Sequence, residues 1–472
     1  MAFDFGSTTS KAIEASASVL KSAVTGRMEL ASIHTIWRSE PVLTPFSGDL
    51  IDQNQLAQIV EGWLNRNGAT KNAGTVSGGV IITGLAAQKR NATVIAHAIR
   101  QRMGDAVVAL ADEPVQESWL AFMGSCSDLS GLHADRRFVN IDIGGGTSNL
   151  AIGQNRTVLE AGSLWIGARH FCFEQGTYRL ISLSQKGQKV LRQLRITEQV
   201  GAELSKQQVE TIAEFYVGGL INALQSKPRA TFKILNHVPL KHQLQAQDII
   251  TFSGGVGELV YRIAQGERFP VTPYGDLGID LAQAIVNSKI LGKNLKNFVP
   301  ENLGRATVCG LAFHGVEVSG ATLFAPQKPS LPLRDLPILG KISKNSSQQN
   351  VNQLISRARN FPGGSCILAS AHGGSMESIQ SLASRLLLAL KKTRFPNTVP
   401  LIIFLPENMG KTLGHYATAW GRLPVNLMVV DEIDVEAAAD RAYFASVFKS
   451  EDQNVLVSFY GGVGEHSKKQ DR

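Results

Sequence analysis

The chain is poor in cysteine, in long apolar runs and in clustered charge, and each shortage removes a class of function. Its four cysteines, Cys126, Cys172, Cys309 and Cys366, lie far apart and form no CxxC pair. Neither a thiolate zinc site nor the disulfide framework of a small secreted domain is therefore indicated, and a reduced, cytoplasmic setting is expected. No apolar stretch is long enough to span a bilayer, and no charged leader followed by an apolar core precedes the first strand, so neither a membrane partner nor a signal peptide is expected. Phe3 stands so near the start that the first strand has little room before it, which suggests a clipped N-terminus. The formal net charge is +8, but Lys and Arg are scattered rather than gathered into a basic arm, so nucleic acid is not an expected partner. His97, His170, His314 and His372 form no HxxxH pair, and no metal-ligand role is read for them.

Glycine, by contrast, is abundant, with 45 residues in 472. With 18% charged and 43% apolar residues, this is the composition of a turn-rich globular α/β protein, long enough for two or three domains. The glycines gather where apolar runs end. Phe3-Asp4-Phe5-Gly6-Ser7-Thr8-Thr9 reads as a strand, an acid at its end and a tight turn with small hydroxyls, and Asn140-Ile141-Asp142-Ile143-Gly144-Gly145-Gly146-Thr147-Ser148 repeats the form. A third strand, Asp248 to Phe252, runs into Ser253-Gly254-Gly255-Val256-Gly257-Glu258. Glycine lets backbone N–H groups approach phosphate oxygens closely, hydroxyls add donors, and two facing aspartates can hold a hydrated Mg²⁺. The turns carry neither a Walker lysine motif nor GxGxxG, which excludes P-loop and dinucleotide-binding readings of them.

Patterning predicts a helix over Gln55 to Asn65, a buried strand over Gly79 to Gly84, a helix over Asn91 to Met103 and a strand over Ala106 to Leu110. Asp112-Glu113-Pro114 then sits where a helix start would place acids and proline, with Val115 to Met123 as its body. A second unit opens with strands Phe138 to Asp142 and Asn149 to Ile152, followed by helices around Ile196 to Leu224. Beyond Phe324 the chain is proline-rich and then polar over Ser343 to Asn352, which reads as a boundary or linker. Strands are expected at Cys366 to Ala369, Val399 to Leu405 and Val425 to Val430. The expected division is 1–135, 136–325 and 326–472.

The order of the three turns resembles the actin, heat-shock-70 and sugar-kinase superfamily. That resemblance implies an actin-like ATPase fold, with two duplicated ribonuclease-H-like α/β domains around a nucleotide cleft and a further small C-terminal α/β module. It implies that Gly6, Ser7, Thr8 and Thr9 form one phosphate loop, that Gly144, Gly145, Gly146 and Thr147 form the other, and that Gly254, Gly255, Val256 and Gly257 contact adenosine. Asp4 and Asp142 would hold Mg²⁺ through water, Asp142 would also act in catalysis, and Glu113, by its likeness to an Asn-Glu-Pro segment, would orient or deprotonate the attacking water. A structural reading of Glu113, as a helix-capping acid, stays open.

A closer resemblance runs from Phe3 to about Ile433. The second turn, Ile81-Ile82-Thr83-Gly84 before Arg90-Asn91-Ala92, Leu43-Thr44-Pro45, the third turn, Ser319-Gly320-Ala321-Thr322, Pro332 to Pro337, and Gly410-Lys411 with Asp431-Glu432 together resemble the ethanolamine ammonia-lyase reactivating factors, the EutA family. That resemblance implies a chaperone-like, weak ATPase that uses ATP and Mg²⁺ to release damaged cobalamin from the lyase, in the cytoplasm or in association with a bacterial microcompartment, with a homodimer as one open assembly. Cobalamin itself would stay with the lyase. The alternatives are a small-molecule kinase of the same superfamily and a nucleotide-binding scaffold without hydrolysis. Leu85 stands where the family usually carries an acid, the ending past Ile433 diverges, and Tyr460-Gly461-Gly462-Val463-Gly464-Glu465 echoes the third turn without a place in such a clamp.

Overall fold

The computed structural model describes residues 1–21, 28–47, 50–65, 79–82, 91, 114–225, 229–241, 243–314, 316–318, 323–326, 333–371, 375–431, 441–450 and 453–461. Glu113, Leu85, the helix expected over Asn91 to Met103, the strand expected over Ala106 to Leu110 and most of the tail's glycine turn lie outside these residues.

Among the described residues three larger sheets, beside two two-stranded ones, organise the fold. In the first, strand Ala2–Phe5 lies between Thr9–Lys21, antiparallel, and Gly79–Ile82, parallel, with Met28–Arg38 outside Thr9–Lys21. Alternate side chains of a strand face opposite ways, so Phe3 and Phe5 share one face and meet Trp63 there at ring distances of 6.0 and 6.3 Å. Trp63 belongs to helix Gln53–Leu64, whose Asp52 cap accepts from the Asn54 and Gln55 N–H groups and whose Leu56, Val60 and Trp63 form one buried stripe. Ala2, Ile13 and Ile81 face the other way, onto Val308, Cys309 and Leu311 of helix Ala306–His314.

The middle sheet repeats this wiring. Arg137–Ile143 lies between Ser148–Gln154, antiparallel, and Ile249–Ser253, parallel, with Thr157–Leu164 outside Ser148–Gln154. Val139, Ile141 and Ile143 join the largest core, built with helices Lys206–Ala223, Gly254–Ala264 and Gly278–Asn287. Phe138 points to the opposite face, against Phe122 and Cys126 at the end of helix Pro114–Ser125. That helix crosses Ala306–His314 at two glycines. A Cβ on Gly124 would lie 1.9 Å from the Ala306 carbonyl oxygen, and one on Gly310 would lie 2.0 Å from that of Leu120.

The third sheet has eight strands. Its parallel centre, Leu333–Ser343, Ser365–Ser370, Leu401–Leu405 and Leu427–Asp431, carries helices Gln348–Ala358, Met376–Thr393 and Gly410–Ala417. The expected strands of this module are present. The polar segment read as a boundary or linker is instead an integral turn: Ser343 ends a strand, and Ser347 caps the next helix by accepting from the Asn350 N–H. The helical region expected around Ile196 to Leu224 begins later, at Lys206, where Ser205 and Gln208 form a reciprocal capping box. The fold is thus mixed α/β, with two sheets of matching strand order and a further α/β module, the class expected from the sequence.

Candidate functional site

The two acidic turns have one construction. Each begins with an aspartate near the end of a central strand, and two residues later a glycine N–H donates back across the turn: Gly6 to the Thr9 carbonyl and Gly144 to the Thr147 carbonyl, both at 3.0 Å. The turns approach each other, since a Cβ on Gly145 would stand 2.7 Å from Thr8 Oγ1. Behind the second turn, the Ala168 and Arg169 N–H groups donate to the Gly144 and Gly145 carbonyls, at 3.1 and 2.7 Å. These bonds hold the loop's carbonyls on the far side. The fully buried His170 backs the same loop. Its Nδ1 lies 2.7 Å from Ser184 Oγ, and its Nε2 faces the Gly146 backbone outside ordinary hydrogen-bond geometry. Burial lowers its pKa to about 4, partly opposed by that Gly146 contact.

The third turn is the start of helix Gly254–Ala264. Gly254 has φ +78°, and a Cβ there would stand 2.5 Å from the Ile143 carbonyl oxygen, so only glycine fits. Gly255 is different: a Cβ there would meet nothing within 4 Å.

All three turns border one cleft of ≈ 990 Å³. Of the residues singled out from sequence, Asp4, Gly6, Ser7, Thr8, Thr9, Asp142, Gly144, Gly145, Thr147, Gly254, Gly255 and Val256 line it. Gly146 and Gly257 do not. Gly146 sits against Gly167 and His170, and Gly257 packs on Phe252. Glu117, in the first turn of helix Pro114–Ser125, also lines the cleft.

The acids have unequal settings. Asp142 is 5% exposed, and burial raises its pKa from 3.8 to about 6, opposed by a hydrogen bond from Ser253 and by the charge of Lys11. Asp4 is half-buried and lies opposite Lys11 in the first hairpin. Lys11 Nζ also donates to the Gly304 carbonyl and lines the cleft, where its charge acts on Asp142. At the cleft mouth, Arg262 is paired to Glu267, with Nε 2.7 Å from Oε2, and lies 4.8 Å from the Phe269 ring centre, while Tyr274 is exposed. Burial raises the Asp276 carboxyl, which accepts from the Gly278 N–H at 2.9 Å. Among the described residues no group of three His, Cys, Asp or Glu could hold a bare metal ion, and no helix is long and apolar enough to cross a membrane.

Sequence reading missed Lys11, Asn140 and Ser253. Lys11 reaches the site through hairpin register alone. Asn140 and Ser253 carry a readable signal, because Asn140-Ile141-Asp142 and Thr251-Phe252-Ser253 each place polar residues two apart in otherwise apolar strands. Two apart means one face of a strand.

The sequence was compared with known proteins. Two relatives, from Salmonella typhimurium and Escherichia coli, are both named "Ethanolamine ammonia-lyase reactivase EutA"; they are 29% and 28% identical to this chain, and each alignment covers 92% of both proteins. Among solved structures, the Ppx/GppA phosphatase of Aquifex aeolicus matches with TM-score 0.32 and 13% identity, over 58% of this chain and 73% of its own. The ethanolamine utilization protein EutJ of Carboxydothermus hydrogenoformans matches with TM-score 0.31 and 14% identity, over 66% of this chain and 88% of its own. Those two scores are too low to equate the folds. The family model described as "Ethanolamine utilisation protein EutA" matches residues 1–440, and the chain belongs to that family.

Proposed function

We propose that this protein is an ATP- and Mg²⁺-dependent reactivating factor for a cobalamin-dependent ethanolamine ammonia-lyase, releasing damaged cobalamin so that intact cofactor can bind. The observation that carries this reading is the single cleft lined by both aspartate turns and by the glycine start of the third. The names of the two curated relatives supply the lyase as partner.

The residues fit a magnesium nucleotide. Asp142 is a buried carboxylate that an added cation would stabilise; a Cβ on Gly255 would meet nothing within 4 Å, and one on Gly144 only the Thr147 carbonyl oxygen at 3.7 Å. Bound Mg²⁺ would neutralise phosphate charge, and Asp4 and Asp142 would hold it through water. The N–H groups and hydroxyls of Gly6 to Thr9 and Gly144 to Thr147 would bind phosphate oxygens, while Gly254 to Val256 would approach the nucleoside. Glu113 is proposed to orient the attacking water. Reactivation requires that ATP and ADP favour different conformations, since a ligand bound equally by both shifts neither.

The test is to inactivate ethanolamine ammonia-lyase with hydroxocobalamin, then add this protein, ATP, Mg²⁺ and adenosylcobalamin. Recovery of lyase activity is expected, and Asp142→Ala should abolish the ATP-dependent part. No recovery, with a family relative active in parallel, would remove the reading.

A further inference from the structure

We propose that Ser253 and Asn140 are positioning residues for Asp142, holding one carboxylate oxygen so that the other faces the cleft. This inference rests on the nucleotide reading above and adds to it the means by which the buried acid is aimed.

The sheet register builds the arrangement. Strands Arg137–Ile143 and Ile249–Ser253 are parallel neighbours, with Phe138 beside Ile249, Asn140 beside Thr251 and Asp142 beside Ser253. All six side chains share one face by the two-residue alternation of a strand. That face is apolar at Phe138 and Ile249 and polar over its last two rungs, which lead toward the cleft.

The polar rungs form one string. Ser253 Oγ donates to Asp142 Oδ2 at 2.7 Å, and Asn140 Nδ2 donates to Ser253 Oγ at 2.9 Å. Thr251 Oγ1 donates to Asn140 Oδ1 at 3.2 Å, and Cys126 Sγ lies 3.1 Å from Thr251 Oγ1. With the Thr251 proton committed to Asn140, the Cys126 thiol must donate. Every donor in the string therefore points toward Asp142. All five residues are buried, at 5% exposure or less.

The orientation of Asn140 decides the outcome. Turned over, its oxygen would face Ser253 and capture the hydroxyl proton, and Asp142 would lose its donor. The flipped arrangement would make Thr251 accept from Asn140 and donate to the Cys126 sulfur, a weak acceptor, and would leave the thiol proton to find another partner; both costs favour Thr251 donating to Asn140 Oδ1. Asp142 Oδ2 is thereby occupied, leaving Oδ1 for the cleft. Outer partners of this kind typically change metal affinity when removed, because they fix the angle at which a ligand oxygen is presented.

The experiment measures the Mg²⁺ requirement for binding a fluorescent ATP analogue, with a parallel titration in EDTA, on the full-length protein. Ser253→Ala is expected to raise the Mg²⁺ needed by about 10- to 100-fold, leaving metal-free binding as in wild type. Ser253→Thr, which keeps the hydroxyl, should restore the wild-type requirement. If Ser253→Ala does not fold, Ser253→Cys supplies a weaker donor of similar shape and should move the requirement the same way by less. An unchanged Mg²⁺ requirement in a folded Ser253→Ala or Ser253→Cys overturns the proposal. So does an equal loss with and without Mg²⁺, because a merely structural role would produce that. If wild type binds no nucleotide under any condition, the underlying reading fails and takes this inference with it.

Discussion

Asp142→Asn should make the nucleotide-free protein more stable at neutral pH while removing its Mg²⁺-dependent function. Asp142 is 5% exposed, and its pKa stands at about 6 instead of 3.8 because burial strips water from the charge faster than the Ser253 hydroxyl and Lys11 replace it. A carboxyl whose folded pKa lies above its unfolded value stabilises the fold in its protonated form. That contribution is fully present below 3.8 and is lost as pH climbs through about 6. At about pH 7 the ionised group therefore costs the fold roughly 3 kcal/mol, at ~1.4 kcal/mol for each pH unit of the shift. Asparagine has nearly the same shape, carries no charge, and can still accept the Ser253 hydroxyl. Because that shift already counts the Ser253 bond to the charged form, the gain should be about 3 kcal/mol, or several degrees in Tm for a domain of this size. Thermal and urea unfolding without nucleotide, run from mildly acidic to neutral pH, would read it. The gain should shrink steadily on acidification and vanish below the unfolded pKa. A variant less stable than wild type at neutral pH, or a difference that ignores pH, would refute the reasoning that this charge is held against the preference of the empty protein.

His170 has the opposite slope. With its pKa lowered from 6.5 to about 4, its contribution is intact above 6.5 and is lost as pH falls through about 4, so His170→Gln should flatten the acid side of the urea-midpoint profile. Arg137, first residue of the strand that carries Asn140, grips Asp248, just before the strand that carries Ser253, through two bonds of 2.9 and 2.6 Å. Arg137→Ala should cost about 3–5 kcal/mol in urea unfolding, because the buried Asp248 would lose its counter-charge and keep the Gln245 N–H bond without a cation; a loss under ~1 kcal/mol would contradict this. Gly310→Ala should destabilise by about 1–3 kcal/mol by forcing apart the crossing of helices Pro114–Ser125 and Ala306–His314, and an unchanged Tm would show that the crossing relaxes freely. Lys11→Met should weaken binding of a fluorescent ATP analogue by about 10-fold, as expected for the loss of one charge-assisted contact, and unchanged affinity would place Lys11 outside the phosphate field.

The parts of the cleft that could be located from sequence are those whose requirements are local. A strand-end aspartate, a glycine two residues on and a hydroxyl residue five on are written contiguously in both turns, and the turn hydrogen bond closes between the second and last of these. Lys11 could not be found this way, because it stands opposite Asp4 only through hairpin register. The Asn140 and Ser253 pair is intermediate, since its polar alternation is visible in each strand but their adjacency depends on pairing across more than a hundred residues. Composition misled at Ser343 to Asn352, where polarity reflects an exposed turn and a helix cap rather than a break between units. Glycine content is also ambiguous. Gly254 is required by φ +78° and by the Ile143 carbonyl, and Gly257 is tightly packed on Phe252, whereas a Cβ on Gly144 would make only an ordinary 3.7 Å contact and one on Gly255 none. The same residue type in one motif therefore serves packing at some positions and leaves room for a ligand at others. Only the surroundings of each Cα separate the two, which is why Gly144 and Gly255, rather than the number of glycines, bear on what the cleft can hold.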